Sequence, residues 1–352
     1  MRADLPGNVA AAIARTTRPS LVFDLARIDG NLEAFATAAR GVGATLLFAA
    51  KSFPHPAVRA LAAQRLAGFD VASVGELAEL PPARVLSIVD PTGRAGADAR
   101  AERLIVGCET VEQVAAAPPG AEIAIRISAS ITNRDPAVGA ILDGSGHRRS
   151  RFGLERAEDV RALVRAAGGR PIGLHVHHGP VAATAGERFV ATARAALALA
   201  AEAELAPRFL DLGGAWHAVA DVAVALAEIR AAVPRDIELV LEPGRAFADG
   251  AGFAAGRVVV ARGALRVSDL SRICHLRWSH VELVGPAPHP GRGERVLVVG
   301  ATCFEEDVLG EWTVEPARLA AGERIVLRHV TGYAVGWNAS FGGVPAADVI
   351  MV

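Results

Sequence analysis

Lys51 is the only lysine in a chain with 37 lysine and arginine residues. Arginine can replace lysine at most solvated sites, but it stays charged and cannot replace a lysine that must act as a neutral amine. The commonest work for such an amine is a Schiff base with a carbonyl cofactor or substrate. Lys51 follows the apolar run Thr45-Leu-Leu-Phe-Ala-Ala50 and precedes Ser52-Phe53-Pro54. A charge at the end of a buried strand, before a proline-containing loop, is placed for chemistry; the rival reading is a chance survivor of an arginine-rich composition. Tyr333 is likewise the only tyrosine, although phenylalanine is used 12 times. Its position therefore points to a needed hydroxyl.

The elements that must position these residues follow from the hydrophobic pattern. Short apolar runs at 45–49, 69–73, 85–90, 104–108, 122–128, 172–177, 209–214 and 237–242 read as strands. Helical patterns lie between most of them, at 56–66, 111–117, 157–167, 186–203 and 218–232. Near-continuous apolar strands separated by helices predict a parallel sheet covered on both faces. Eight such units over roughly 200 residues predict an α/β fold, a (β/α)8 barrel of the TIM type. The structural rival, a doubly wound open sheet, lacks a Gly-x-Gly-x-x-Gly turn after an early strand. Past Arg245 the pattern changes to β-type runs at 257–261, 275–284, 295–299, 324–330 and 347–352. The expected division is a barrel over 22–245 and an all-β domain from 1–21 with 246–352. Residues 133–149, rich in Gly, Pro and Asp, read as a loop.

In such a barrel, active-site residues sit at the C-terminal ends of the strands. Taken strand by strand, the barrel offers Lys51, Asp70 at the start of its strand with Ser73-Val-Gly-Glu76 after it, Arg126, the imidazoles His175, His177 and His178, Gly213-Gly214, and Glu242-Pro-Gly-Arg245. Glycine turns and Arg245 suit a phosphate, because backbone N–H groups approach closely where there is no Cβ. An amine, a phosphate cradle and a carboxylate able to hold a protonated ring nitrogen are what pyridoxal phosphate needs. Each residue also has a plainer reading. His177 can be a core histidine, Gly213-Gly214 a strand-to-helix turn, Arg126 an ion-pair partner and Cys303 a buried thiol.

Bulk properties narrow the alternatives. The net charge of −1 with scattered arginines argues against nucleic acid and anionic membranes as partners. No apolar run approaches the roughly 18 residues of a membrane span, and the start lacks a signal-peptide core. The three cysteines Cys108, Cys274 and Cys303 are far apart, without metal-ligand spacing, and read as cytosolic free thiols. A metal site is not expected.

A resemblance extends these readings. Ala49-Ala-Lys51-Ser, Gly68-Phe-Asp-Val-Ala-Ser73, Ser150-Arg-Phe-Gly153, His175-Val-His177, Leu210-Asp-Leu-Gly-Gly214 and Leu241-Glu-Pro-Gly-Arg245 occur in that order. Gly300-Ala-Thr-Cys303-Phe-Glu-Glu-Asp307, Gly332-Tyr333 and the stretch from Asn338 to Gly342 continue it past the barrel. Together they resemble the fold type III (alanine-racemase-fold) decarboxylases that use pyridoxal phosphate, such as the ornithine, arginine, diaminopimelate and carboxynorspermidine enzymes.

The resemblance implies roles for single residues. Lys51 would carry the cofactor, His177 would stack on its ring, and Glu242 would pair with the pyridine nitrogen. Gly213, Gly214, Gly244, Arg245 and Tyr333 would hold the phosphate, with Asp70 and Arg126 flanking the cofactor. Cys303 would reach the neighbouring subunit's site in a homodimer and protonate the product. Phe304 and Asp307 would face the substrate. The chain also departs from the pattern. Ala215-Trp216 stands where a third glycine is usual, and His178-Gly179-Pro180 follows the stacking histidine in place of a small or apolar residue, Gly and Ser. Phe304 replaces the acidic residue of the ornithine and diaminopimelate enzymes. The expectation is decarboxylation of an α-amino acid, whether a diamino acid, a carboxy-polyamine or a specialised-metabolism amino acid. An amino-acid racemase and a non-catalytic pyridoxal phosphate carrier remain the alternatives.

Overall fold

Eight short strands pair in parallel and close into a barrel: Thr45–Ala49, Gly68–Val71, Val85–Ile88, Arg103–Cys108, Glu122–Arg126, Ile172–His175, Phe209–Asp211 and Glu238–Leu241. The computed structural model describes residues 5–96, 99–132, 141–142, 148–177, 185–288 and 293–352. Closure comes where Glu238–Leu241 pairs with Thr45–Ala49, aligning Val240 with Thr45. The chain divides into two compact units, residues 32–51 with 59–246, and residues 1–31 with 52–58 and 247–352.

The barrel strands are buried along most of their length, since side chains fill one face and helices cover the other. Leu47, Ile105, Ala124, Phe209 and Val240 form a packed interior cluster. Burial of an aromatic such as Phe209 contributes about 1.5–3 kcal/mol. Its ring occupies the space beside Gly173, where a Cβ would fall 2.4 Å from it. Near the strand starts, Arg103 binds Glu122 at 2.9 Å and Glu238 at 2.7 Å. These charges brace the end of the barrel away from the strand C-termini.

The expected helices form at Pro56–Arg65, Val111–Ala116, Ala157–Ala167, Ala185–Glu202 and Val222–Ala232. Thr110 starts the second of these with a capping box to Gln113. The last begins later than expected because Trp216–Ala218 forms a separate 3-10 turn and Asp221 caps Val224. Helix Leu25–Gly41 also precedes the first barrel strand. Most of the loop expected at 133–149, and His178 to Pro180, lie outside the described residues.

The second unit holds a sheet ordered Glu282–Gly285, Arg324–Arg328, Gly252–Arg262, Leu265–Ser268, Glu294–Val299 and Val308–Val314. Ser20–Phe23 joins it between Gly252–Arg262 and Asp348–Met351. Helix Gly7–Arg15, not expected from the sequence, lays Val9, Ala12 and Ile13 against Val22, Phe253, Ala255, Val284 and Val326. The run at 275–284 was expected to be one strand, but only Glu282–Gly285 pairs. Residues before it coil because Ser271 Oγ accepts from the amides of Ile273 and Cys274, and His275 Nδ1 accepts from Ser271 N. Local side-chain acceptors here outcompete a sheet ladder.

Candidate active site

Lys51 follows a strand with four consecutive buried residues and sits in a single 3-10 turn, Ala50–Ser52. Its Nζ lies 2.6 Å from Asp70 Oδ2. The lysine side chain is 39% exposed, whereas that of Asp70 is 1% exposed. Burial pushes Asp70 up to about 7, helped by the charge of Glu242 and opposed by Lys51. The amine at the barrel mouth thus has a carboxyl partner that exchanges a proton near neutral pH.

Glu242 comes directly after strand Glu238–Leu241 and is buried. Ser87 Oγ donates to its Oε1 at 2.8 Å. His175 Nε2 lies 3.5 Å from its Oε2. Burial alone would raise Glu242, yet bonds and charge from His175, a bond from Asp211 and the Lys51 charge hold it well below the usual carboxylate range. Burial lowers His175, opposed by its contact with Glu242.

His177 lies two residues beyond its strand, with an accessible face at the mouth. Gly214 N donates to His177 Nδ1 at 3.2 Å. Burial lowers its pKa to about 3, with Lys51, His175 and Arg126 adding to the effect. Gly213 has φ +61°, and a Cβ there would lie 2.8 Å from His177 Nδ1. Glycine is therefore required on both steric and conformational grounds. Gly213 N donates to Asp211 Oδ1 at 2.8 Å, while Trp216 Nε1 donates to Gly213 O at 2.9 Å. Ala215, at the usual third glycine, keeps a glycine-like φ of +70°. The buried Trp216 that follows stacks on Phe189, with ring centroids 4.2 Å apart.

Arg126 ends its strand 3.7 Å from Glu109 Oε1, and its guanidinium lies 4.2 Å from the Phe152 ring. Arg151 lies 3.7 Å from the same ring. Gly153 N donates to Glu109 Oε2, tying this loop to the barrel. Gly244 is buried, and Arg245 opens the 3-10 turn Arg245–Ala248.

Seven of the expected residues, Lys51, Asp70, Arg126, His177, Gly213, Gly214 and Glu242, thus gather at the strand C-termini of one unit. Cys303, Phe304, Asp307 and Tyr333 belong to the other. There Cys303 is exposed, and Phe304, 46% exposed, leans on Phe341 with ring centroids 5.2 Å apart. Tyr333 starts a short helix and meets Trp278 edge-on at 5.0 Å. Asp307 differs from its expected substrate role. Its buried carboxylate accepts from Ser271 Oγ, Arg272 N, Thr302 N and Thr302 Oγ1 at 2.7–3.0 Å. Those bonds engage both oxygens in fixing the Cys303 loop.

The sequence reading missed Ser87, Glu109 and the part played by Asp211. Ser87 and Asp211 each interrupt a buried apolar strand, and a polar group there implies a partner. Among the described residues, His175, Asp211 and Glu242 are also the one group placed to hold a metal ion, all within 4.8 Å of one another. The anionic Glu242, the neutral His177, the Lys51 amine and glycines that leave space beside the imidazole fit a pyridoxal ring.

Comparison with known proteins agrees with that fit. Residues 25–249 match the family model for the pyridoxal-dependent decarboxylase, pyridoxal binding domain. Diaminopimelate decarboxylase of Deinococcus radiodurans is 30% identical over 258 residues, covering 70% of this chain and 66% of that enzyme. The match to the Thermoplasma acidophilum enzyme, 24% identical, covers 59% of this chain and 55% of the relative. The chain thus spans between half and two thirds of these two relatives' length. Among solved structures, the lysine/ornithine decarboxylase of Vibrio vulnificus with cadaverine has a TM-score of 0.79 at 20% identity, covering 99% of this chain and 100% of that one. The arginine decarboxylase of Paramecium bursaria Chlorella virus with agmatine gives 0.78 at 18% identity, covering 98% and 99%. At these identities the likeness shows the fold.

Proposed function

The chain belongs to the pyridoxal-dependent decarboxylase family, and from that premise we propose that it removes the α-carboxylate of an amino acid as carbon dioxide, using pyridoxal 5'-phosphate at the Lys51 end of the barrel. The observation that carries this reading is the pairing of one amine, Lys51 beside Asp70, with one buried anion, Glu242, at the same barrel end. The cofactor supplies an aldehyde that exchanges amines and a ring that accepts the electrons left by departing carbon dioxide.

The chain's own residues do the rest. Asp70 holds Lys51 Nζ and, with an acidity near neutral, takes up or returns its proton. Glu242, held ionised, keeps a ring nitrogen protonated, which is electrostatic stabilisation set in place before reaction. The neutral His177 offers a flat apolar face to the ring without adding positive charge. Arg245, Gly244 and Tyr333 are the proposed phosphate grip. Arg126 is anchored by Glu109 and Phe152, so it flanks the site as a fixed cation.

The reading extends to assembly. Cys303 is exposed, as a residue serving a second copy must be, and the proposed enzyme is a homodimer with Cys303 as proton donor. With Asp307 engaged locally, recognition of the substrate's far end falls to Phe304 and the exposed Glu305 and Glu306. The free cysteines fit the reducing cytoplasm as its place of action, and no described helix is long and apolar enough to cross a membrane.

The experiment is carbon dioxide and amine release from a panel of amino acids. Decarboxylation of at least one by the cofactor-loaded protein is expected. Inverted stereochemistry without carbon dioxide would instead establish a racemase. Cofactor binding without turnover of any amino acid would establish a carrier.

A further inference from the structure

The four aromatic side chains exposed among the described residues, Trp278, Phe304, Trp337 and Phe341, all belong to the second unit. Trp278 is the most exposed of them, at 52%. Its backbone has a φ of +62°, a left-handed conformation that a bulky side chain rarely adopts. Such strain persists only where the surrounding structure holds it, and it gathers at binding sites. Here the indole is held between two other rings. Trp278 meets Tyr333 edge-on at 5.0 Å and Trp337 at 5.7 Å. Phe304 and Phe341 make a second pair, 5.2 Å apart.

Hydrogen bonds join the segments that carry these rings. Thr331 N donates to Ser279 Oγ at 3.1 Å, which fixes the approach to Tyr333 beside the residue after Trp278. Ala339 N, between Trp337 and Phe341, donates to Cys274 O at 3.2 Å. Cys274 N donates to Ser271 Oγ, and Ser271 Oγ donates to Asp307, the anchor of the loop with Cys303 and Phe304. One frame therefore presents the rings together with Cys303 and Tyr333. The charge stacked on the rings is a cation, since the Arg277 guanidinium lies 4.5 Å from the Trp337 ring. A cation there repels a substrate ammonium, and Phe304 offers that ammonium no countercharge. Glu305 and Glu306 are exposed, where salt and water screen them. Aromatic surface left in water gains instead from an apolar partner.

We infer that this aromatic face receives the substrate's side chain, and that the substrate is an amino acid with a large apolar side chain rather than one with a distal ammonium. Trp278 joins Phe304 as a specificity-determining residue. The inference rests on the reading of Cys303 and Tyr333 as site residues, because the face accompanies them to the site they serve.

Absorbance of the bound cofactor, titrated with either enantiomer of phenylalanine and of lysine or ornithine, reads affinity without turnover. The cofactor-loaded protein should bind phenylalanine about tenfold more tightly than lysine or ornithine, and kcat/KM for carbon dioxide release should follow that order. Trp278→Ala should weaken phenylalanine binding about tenfold and leave lysine within about twofold, while Trp278→Phe should keep most of the affinity. Trp337→Ala should act in the same direction, and denaturation midpoints show which variants are folded. Tighter binding of lysine or ornithine than of phenylalanine, or phenylalanine affinity untouched by both alanine substitutions, would overturn the inference. So would a Trp278→Ala variant that falls from dimer to monomer with its phenylalanine preference unchanged, which would assign the face to a second copy. If carbon dioxide comes only from diamino acids, the proposed function stands and this inference falls. If phenylalanine binds through Trp278 but no amino acid loses carbon dioxide, the reverse holds.

Discussion

The amide of Gly214 donates to Nδ1 of His177 at 3.2 Å, and this one bond fixes the imidazole. A nitrogen that accepts an N–H bears no hydrogen, so His177 is the neutral tautomer with its hydrogen on Nε2. The ring is uncharged, in agreement with a pKa lowered first by burial and then by the charges of Lys51, His175 and Arg126.

Gly213 holds that arrangement open. Gly213→Ala would place a Cβ 2.8 Å from Nδ1 at a φ of +61°. The backbone strain alone should cost about 1–2 kcal/mol, read as a lower midpoint in chemical denaturation. Displacement of His177 should also weaken pyridoxal phosphate binding by tenfold or more, about 1.4 kcal/mol, in an absorbance titration. Unchanged affinity would mean that His177 does not contact the cofactor.

Asp70 sets a pH dependence in the cofactor-free protein. Its folded pKa of about 7 lies above the ordinary 3.8, so the folded state binds the proton more tightly. This contribution is fully present below 3.8 and is lost as pH rises through about 7. Denaturation midpoints should therefore fall across that window. Asp70→Asn should flatten the fall, because the amide does not titrate. An equally steep profile in the variant would assign the slope to other groups.

Two neighbours in the Cys303 loop should behave oppositely. Asp307→Ala leaves four donors unmatched and should destabilise by about 2–4 kcal/mol. Phe304→Glu changes an exposed side chain and should leave stability within about 0.5 kcal/mol. It should move substrate preference towards diamino acids by offering a partner for a distal ammonium. A substrate profile that does not move would place Phe304 outside the pocket.

Much of the barrel was legible because its physics is local. Continuous apolar runs, such as the one ending at Ala49, mark strands buried on both faces, and residues at their ends must face the mouth. Lys51, the cluster of His175, His177 and His178, and Glu242 followed from that placement, and the family resemblance singled out His177. Asp307 did not, because its role depends on donors from Ser271 and Arg272, far off in sequence. Ser87 was hidden for the same reason, since its partner Glu242 comes 155 residues later. The false strand at 275–281 shows the converse. A β-type composition lost to hydrogen bonds around Ser271 and His275 that periodicity does not register.

Assembly can be tested with two inactive variants. If Cys303 serves the site of a second copy, mixed Cys303→Ala and Lys51→Ala subunits form heterodimers with one complete site. With random exchange, activity should return to about a quarter of wild type, since half the dimers have one of two sites intact. No recovery after demonstrated exchange would place both residues in one chain's site.

The central claim is that the site is built around the Lys51 amine. Borohydride reduction of the cofactor-loaded protein, followed by peptide mapping, tests it most directly. Because Lys51 is the only lysine, one labelled peptide containing it is expected, and none from Lys51→Ala. A protein that stays colourless with added pyridoxal phosphate, or is labelled only elsewhere, would contradict the account.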